Sequence, residues 1–171
     1  MIKKINKIQS KVRVDYLFIS GYLDINTEYF IKQIEKGIKE NNNENFKSNI
    51  AGFMTSYKYF LQNINFLKII YPLFDYIDSL ENIKKYNLDS AWGIKQDFSN
   101  YAKEHDHNPN YLSGIIYLNN HNQTISFPEL SKKYTPSINS FFIFSSFLKH
   151  KTIRNTFNES KYALSFNLGY N

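Results

Sequence analysis

From Ser90 onward the apolar residues come in short runs, each closed by turn residues. The runs cover roughly 90–98, 111–118, 123–127, 140–148 and 161–168, with breaks at Asn119-Asn120, Pro128 and Pro136 to Asn139. Runs of this length, bounded by Asn and Pro, are strands, and a series of them needs a sandwich or barrel to bury both faces. Before Ser90 the periodicity is helical. Asn26-Thr27-Glu28 offers a helix start, with Tyr29, Phe30, Ile34 and Ile38 on one stripe. A second helical stretch over Phe60 to Leu80 places Phe66, Leu67, Ile70, Leu73, Phe74 and Ile77 on one face, and Pro72 inside it predicts a kink or a split. A strand over 12–19 ending at Ser20-Gly21, a polar loop over 41–45 and a third short helix over 80–86 complete the first half. Helices first and strands afterwards make the fold class α+β. The 171 residues are enough for one domain, with 1–89 a strand plus helical support and 90–171 the β core. Helical stripes without a second helical layer predict that the helices pack on the outer face of one sheet.

The chemistry concentrates on histidine. There is no cysteine, so neither disulfides nor thiolate ligands exist, and a metal site must use His, Asp or Glu, donors that suit iron, manganese or zinc. In an extended segment residues i and i+2 share a face, so His105 and His107 can aim both imidazoles at one point. His150, at the end of a later apolar run, is the candidate for the third ligand, with Asp106 as an alternative. The fourth histidine, His121, sits among Asn119, Asn120 and Asn122 and is expected at the surface. Trp92 opens the first run and is expected in the core, or else at the rim of a substrate site. Nothing supports a competing enzyme class: there is no Gly-rich phosphate loop, no Ser-His-Asp set and no cysteine nucleophile.

Lys3, Lys4, Lys7 and Lys11 make the N-terminus basic within a formal charge of +6. A touch on nucleic acid is therefore noted, but the lysines are scattered in an Ile- and Asn-rich chain, and a nucleic-acid partner is not expected. No signal-peptide core and no run of about 18 apolar residues is present, so no membrane partner is expected. The expected location is the cytoplasm, or a host cytoplasm if the chain is viral.

Four segments together carry a family resemblance. His105-Asp106-His107-Asn108-Pro109-Asn110 is followed by Leu112-Ser113-Gly114-Ile115-Ile116-Tyr117-Leu118, then by Phe142-Ile143-Phe144 with Leu148-Lys149-His150, and then by Lys161-Tyr162-Ala163-Leu164-Ser165-Phe166-Asn167. Residues 90–169 resemble the double-stranded β-helix (jelly-roll, cupin-like) core of the Fe(II)/2-oxoglutarate-dependent oxygenases, in particular prolyl 4-hydroxylase-like members and a phage and bacterial branch with HxH followed by LSGxxYL. The resemblance implies N-terminal buttressing helices, Fe(II) held by His105, His107 and His150, and 2-oxoglutarate as cosubstrate with O2. It implies a pocket for the distal carboxylate of 2-oxoglutarate built from Lys161 and Tyr117, and a hydroxylated C–H bond, by analogy on a protein or peptide side chain. The sequence departs from the family pattern twice: His107 stands where a carboxylate is usual, and Lys161 stands where most members have arginine, keeping the charge without the bidentate fork. These departures keep two other expectations open, a β-helix binding module without the chemistry and a cupin-type three-histidine enzyme without 2-oxoglutarate.

Overall fold

A computed structural model describes residues 15–41, 49–81 and 86–170. In chain order the elements are β1 (Phe18–Tyr22), α1 (Thr27–Glu40), β2 (Ile50–Ala51), β3 (Phe53–Met54), α2 (Ile64–Glu81), β4 (Tyr86–Gln96), β5 (Tyr101–Ala102), β6 (Leu112–Tyr117), β7 (Ile125–Phe127), β8 (Lys132–Tyr134), β9 (Ser140–Ser145), β10 (Lys151–Thr152) and β11 (Lys161–Tyr170). A six-stranded antiparallel sheet in the order β1-β9-β6-β11-β4-β3 lies beside a three-stranded sheet, β10-β7-β8, and a two-stranded pair, β2-β5. An antiparallel bridge between His105 and His150 links the two smaller sheets, since β5 ends just before His105 and β10 begins just after His150. The fold class is α+β, as expected, with antiparallel sheets facing each other.

Alternation along the strands of the large sheet separates two cores. Leu112, Ile116, Phe141, Ile143, Leu164, Phe166 and Leu168 pack with Phe30 and Ile34 of α1 and with Phe66, Ile70, Phe74 and Ile77 of α2. Each of these side chains contributes about 1.5–3 kcal/mol by leaving water, so the helices belong to this face. Ile34 descends so closely on β4 that a Cβ at Gly93 would meet its Cγ1 at 2.3 Å. The opposite face carries Tyr117, Phe142, Phe144 and Ala163, which close on Ile125 and Phe127 of the small sheet and on Leu148. Phe127 and Phe144 meet edge to face at 4.9 Å. Lys161, Ser165 and Asn167 point to this inner side as well, by the same alternation.

Several local expectations need correction. The first strand runs through Ser20-Gly21 to Tyr22, because Gly21 pairs with Phe141 and leaves the space that the Phe141 ring fills, where a Cβ would come within 2.8 Å. The start of the expected strand, residues 12–14, lies outside the described residues, as does the basic stretch Lys3 to Lys11. The second helix begins at Ile64 rather than Phe60, since Asn63 caps it by accepting a hydrogen bond from the Phe66 amide at 3.0 Å. It runs unbroken through Pro72, whose missing N–H falls on the exposed side, where water can satisfy the Lys68 carbonyl. No helix reaches Tyr86, which already belongs to β4, and residues 82–85 lie outside the described residues. No helix among the described residues is long and apolar enough to cross a membrane.

Candidate metal centre

His105 and His150 exchange both backbone hydrogen bonds, 3.1 Å from the His105 amide to the His150 carbonyl and 2.9 Å in return. This antiparallel pairing sets their side chains against each other, with ring centroids 4.4 Å apart. His107, two residues on, is fixed by its amide donating to the Ser146 carbonyl at 2.8 Å, beyond the end of β9. Its ring lies 5.1 Å from that of His105 and 5.0 Å from that of His150. One ligand atom from each of the three lies within 4.8 Å of the others. The expected trio is therefore together. Asp106 is half-buried on the rim of the adjoining cleft; its Oδ1 accepts from the Asn108 amide at 3.2 Å, and it is outside this group of converging donors.

The outer nitrogens decide what the inner ones can do. His105 Nδ1 lies 2.7 Å from the Lys103 carbonyl oxygen, His150 Nδ1 3.2 Å from the Leu148 carbonyl oxygen, and His107 Nδ1 2.7 Å from Asn167 Oδ1. An oxygen without a hydrogen must accept, so each Nδ1 donates its proton and each Nε2 keeps a bare lone pair. Burial opposes protonation of all three. It holds His105 below the ordinary imidazole range, pushes His107 down to about 4 and His150 well below its usual value, and the neighbouring histidines push the last further. Three uncharged imidazoles are what a divalent cation requires. A cavity of about 40 Å³ touches all three and is lined also by Trp92, Ile115 and Ser165. That is room for an ion and a water-sized co-ligand.

Outside it, a cleft of about 190 Å³ opens between Asn49, Met54, Tyr57, Trp92, Asn108 and Asn110. Trp92 is in the core, as expected, buried with Met54 and Ile94; it also lines this cleft, its ring stands 6.0 Å from that of His107, and its Nε1 has no hydrogen-bond partner among the described residues.

Deeper along β11, Lys161 is 2% exposed, and among the described residues its ammonium makes neither a hydrogen bond nor an ion pair. Burial without a counter-charge lowers its pKa to about 7. Its Nζ lies 6.0 Å from the centre of the Tyr117 ring, and the Tyr117 hydroxyl is itself buried without a partner among the described residues, its pKa raised by desolvation. Two unmet donors in one dry place cost the fold energy unless something anionic joins them.

Sequence reasoning missed two things here. His121 is 6% exposed, against expectation: its Nε2 donates to the Glu159 carbonyl at 3.0 Å, its Nδ1 accepts from the Gln123 amide at 3.0 Å, and Phe157 packs edge-on to its ring. Its polar neighbours in sequence suggested a surface hairpin, but the segment before β11 folds over it. Asn167 was not singled out, although the alternation that puts Lys161 inward puts Asn167 inward too.

No protein-family model matches the sequence, and no curated protein matches it. Solved structures do match. The viral collagen prolyl hydroxylase vCPH from Paramecium bursaria Chlorella virus-1, as its 2OG complex, superposes with a TM-score of 0.69 at 17% identity over 90% of this chain and 94% of that one. A prolyl-4-hydroxylase from Pseudomonas putida gives 0.65 at 10% identity over 90% and 92%. HygX from Streptomyces hygroscopicus, with nickel, 2-oxoglutarate and hygromycin B bound, gives 0.63 at 11% identity over 91% and 82%. At these identities the likeness concerns architecture alone: this chain has the double-stranded β-helix fold seen in the 2-oxoglutarate/Fe(II) oxygenases.

Proposed function

We propose that the chain is an Fe(II)- and 2-oxoglutarate-dependent dioxygenase that hydroxylates a C–H bond, with His105, His107 and His150 as the metal ligands. The observation that carries the reading is the convergence of three imidazoles, each with its Nδ1 bonded to an oxygen and its Nε2 free. The donor set fits the group: nitrogen ligands suit Fe(II), and three protein ligands leave positions open for cosubstrate and O2. Lys161 and Tyr117 would hold the distal carboxylate of 2-oxoglutarate, because both are buried donors on the same inner face with no partner among the described residues. The metal with 2-oxoglutarate and O2 supplies the oxidising power that removes hydrogen from a C–H bond and returns a hydroxyl group. The chain's own residues bind and orient. Trp92, Met54 and Ile94 keep water from the metal side, and the cleft of Asn49, Tyr57, Asn108 and Asn110 receives the substrate. A protein or peptide side chain is the substrate we favour, since a prolyl hydroxylase of the same fold from Trichoplax adhaerens was solved with a peptide fragment of hypoxia inducible factor.

One observation favours a second reading. A ligand set of three neutral histidines, with none of the carboxylate usual in this fold, also suits a cupin-type enzyme that uses no 2-oxoglutarate. The purified protein separates the two. The first reading expects iron to be retained and succinate to be released when 2-oxoglutarate is supplied. Metal without succinate selects the second, and neither metal nor succinate leaves a binding module.

A further inference from the structure

We propose that Asn167 is a positioning residue that makes His107 a metal ligand, by holding the His107 proton on Nδ1 and so presenting a bare Nε2. The inference rests on the metal reading above but concerns a different residue. The three histidines are not held alike. His105 and His150 are oriented by backbone carbonyls, whereas His107 depends on a side chain, the Asn167 amide oxygen at 2.7 Å. That amide is itself fixed. Its Nδ2 donates to Ser90 Oγ at 3.1 Å and its Oδ1 accepts from Ser113 Oγ at 2.8 Å, which holds the amide in place with its oxygen on the His107 side. Ser113 lies 3.0 Å from His107 Nδ1 and 2.7 Å from Ser146 Oγ, and Ser146 also receives the His107 amide on its carbonyl. All of these partners are buried except Ser90.

The backbone is shaped for this contact. β11 and β4 keep register from Lys161 to Asn167 and lose it between Asn167 and Leu168, where Asn167 faces Ser90 but Leu168 faces Leu88. The irregularity places Asp89 as an extra residue on β4 beside Asn167, and bulges of this kind re-aim side chains next to functional sites. The uncharged amide also matches the uncharged ligand: the site has no carboxylate at position 107, and none stands behind it at position 167.

The test reads the tautomer and the metal separately. In metal-free protein labelled with ¹⁵N-histidine, proton–nitrogen correlation spectra should show His107 protonated on Nδ1. In Asn167→Leu that preference should fall towards a mixture. Co(II) titration should show the wild type binding one equivalent, Asn167→Leu weaker by about 10- to 100-fold, and Asn167→Asp, which keeps the acceptor and adds charge, at least as tight as wild type. A wild-type His107 protonated on Nε2 would overturn the proposal, because the amide must then face the other way. So would Co(II) affinity unchanged in Asn167→Leu, or weakened tenfold in Asn167→Asp. If Asn167→Leu does not fold, the wild-type tautomer and Asn167→Asp still decide. Failure of the wild type to bind Co(II) at all would overturn the metal reading itself, which no comparison of variants could mimic.

Discussion

Replacing Lys161 by methionine should make the protein more stable while weakening its cosubstrate. Lys161 is 2% exposed, its ammonium is unpaired among the described residues, and burial lowers its pKa from the ordinary 10.5 to about 7. Below pH 7 the lysine is charged in both the folded and unfolded chain, so the fold carries the whole cost of the buried charge. Between 7 and 10.5 the unfolded chain still binds the proton that the folded chain has released, so wild-type stability from this group rises with pH; above 10.5 the cost is gone. The interval corresponds to about 5 kcal/mol at about 1.4 kcal/mol per pH unit. Methionine matches the unbranched stem and removes the charge, so Lys161→Met should gain up to about 5 kcal/mol at pH 6 and only about 1 kcal/mol at pH 9.5. Urea unfolding of both proteins across that range measures the gap directly. A hydrogen bond to a charged group contributes about 1.5–3 kcal/mol, so the variant should bind 2-oxoglutarate roughly 10- to 150-fold more weakly in calorimetry. A gap that is absent at pH 6, or constant from pH 6 to 9.5, would refute the reasoning, because the ammonium would then be solvated or paired.

Two further outcomes follow from single contacts. Tyr117→Phe removes a buried hydroxyl that has no partner, so the melting temperature should hold or rise while the 2-oxoglutarate constant increases about tenfold; a clear loss of stability would show that the hydroxyl is bonded within the fold. His121→Ala should lower stability by about 2–4 kcal/mol in urea unfolding, since it empties a buried site and strands the Gln123 amide, yet Co(II) affinity should not change; a neutral effect on stability would return His121 to the surface.

What could be read from the sequence follows from how local each determinant is. The runs that became β6, β9, β11 and the second half of β4 are largely buried on both faces, so their apolar density announces them. β5, β8 and β10 have two or three residues each, too few for an alternation to register, and their partners β2 and β7 are just as short and come from distant parts of the chain. The same contrast holds at the site. His105 and His107 share a face through their spacing alone, but the His105–His150 bridge and the Asn167–His107 contact join positions far apart in the chain. Nothing near Asn167 marks it, apart from being a polar residue at an inward position of a strand that is otherwise buried. His121 misled for the same reason: three asparagines around it are local, and the Glu159 carbonyl that buries it is not.

The central claim is that three histidines, and not a histidine pair with Asp106, hold one metal. An anaerobic Fe(II) titration of wild type, His150→Ala and Asp106→Asn, each with 2-oxoglutarate present, tests it most directly. The wild type should bind one equivalent of iron, Asp106→Asn should bind one as well, and His150→Ala should retain none although it stays folded. Full iron binding by His150→Ala, or its loss in Asp106→Asn alone, would contradict it.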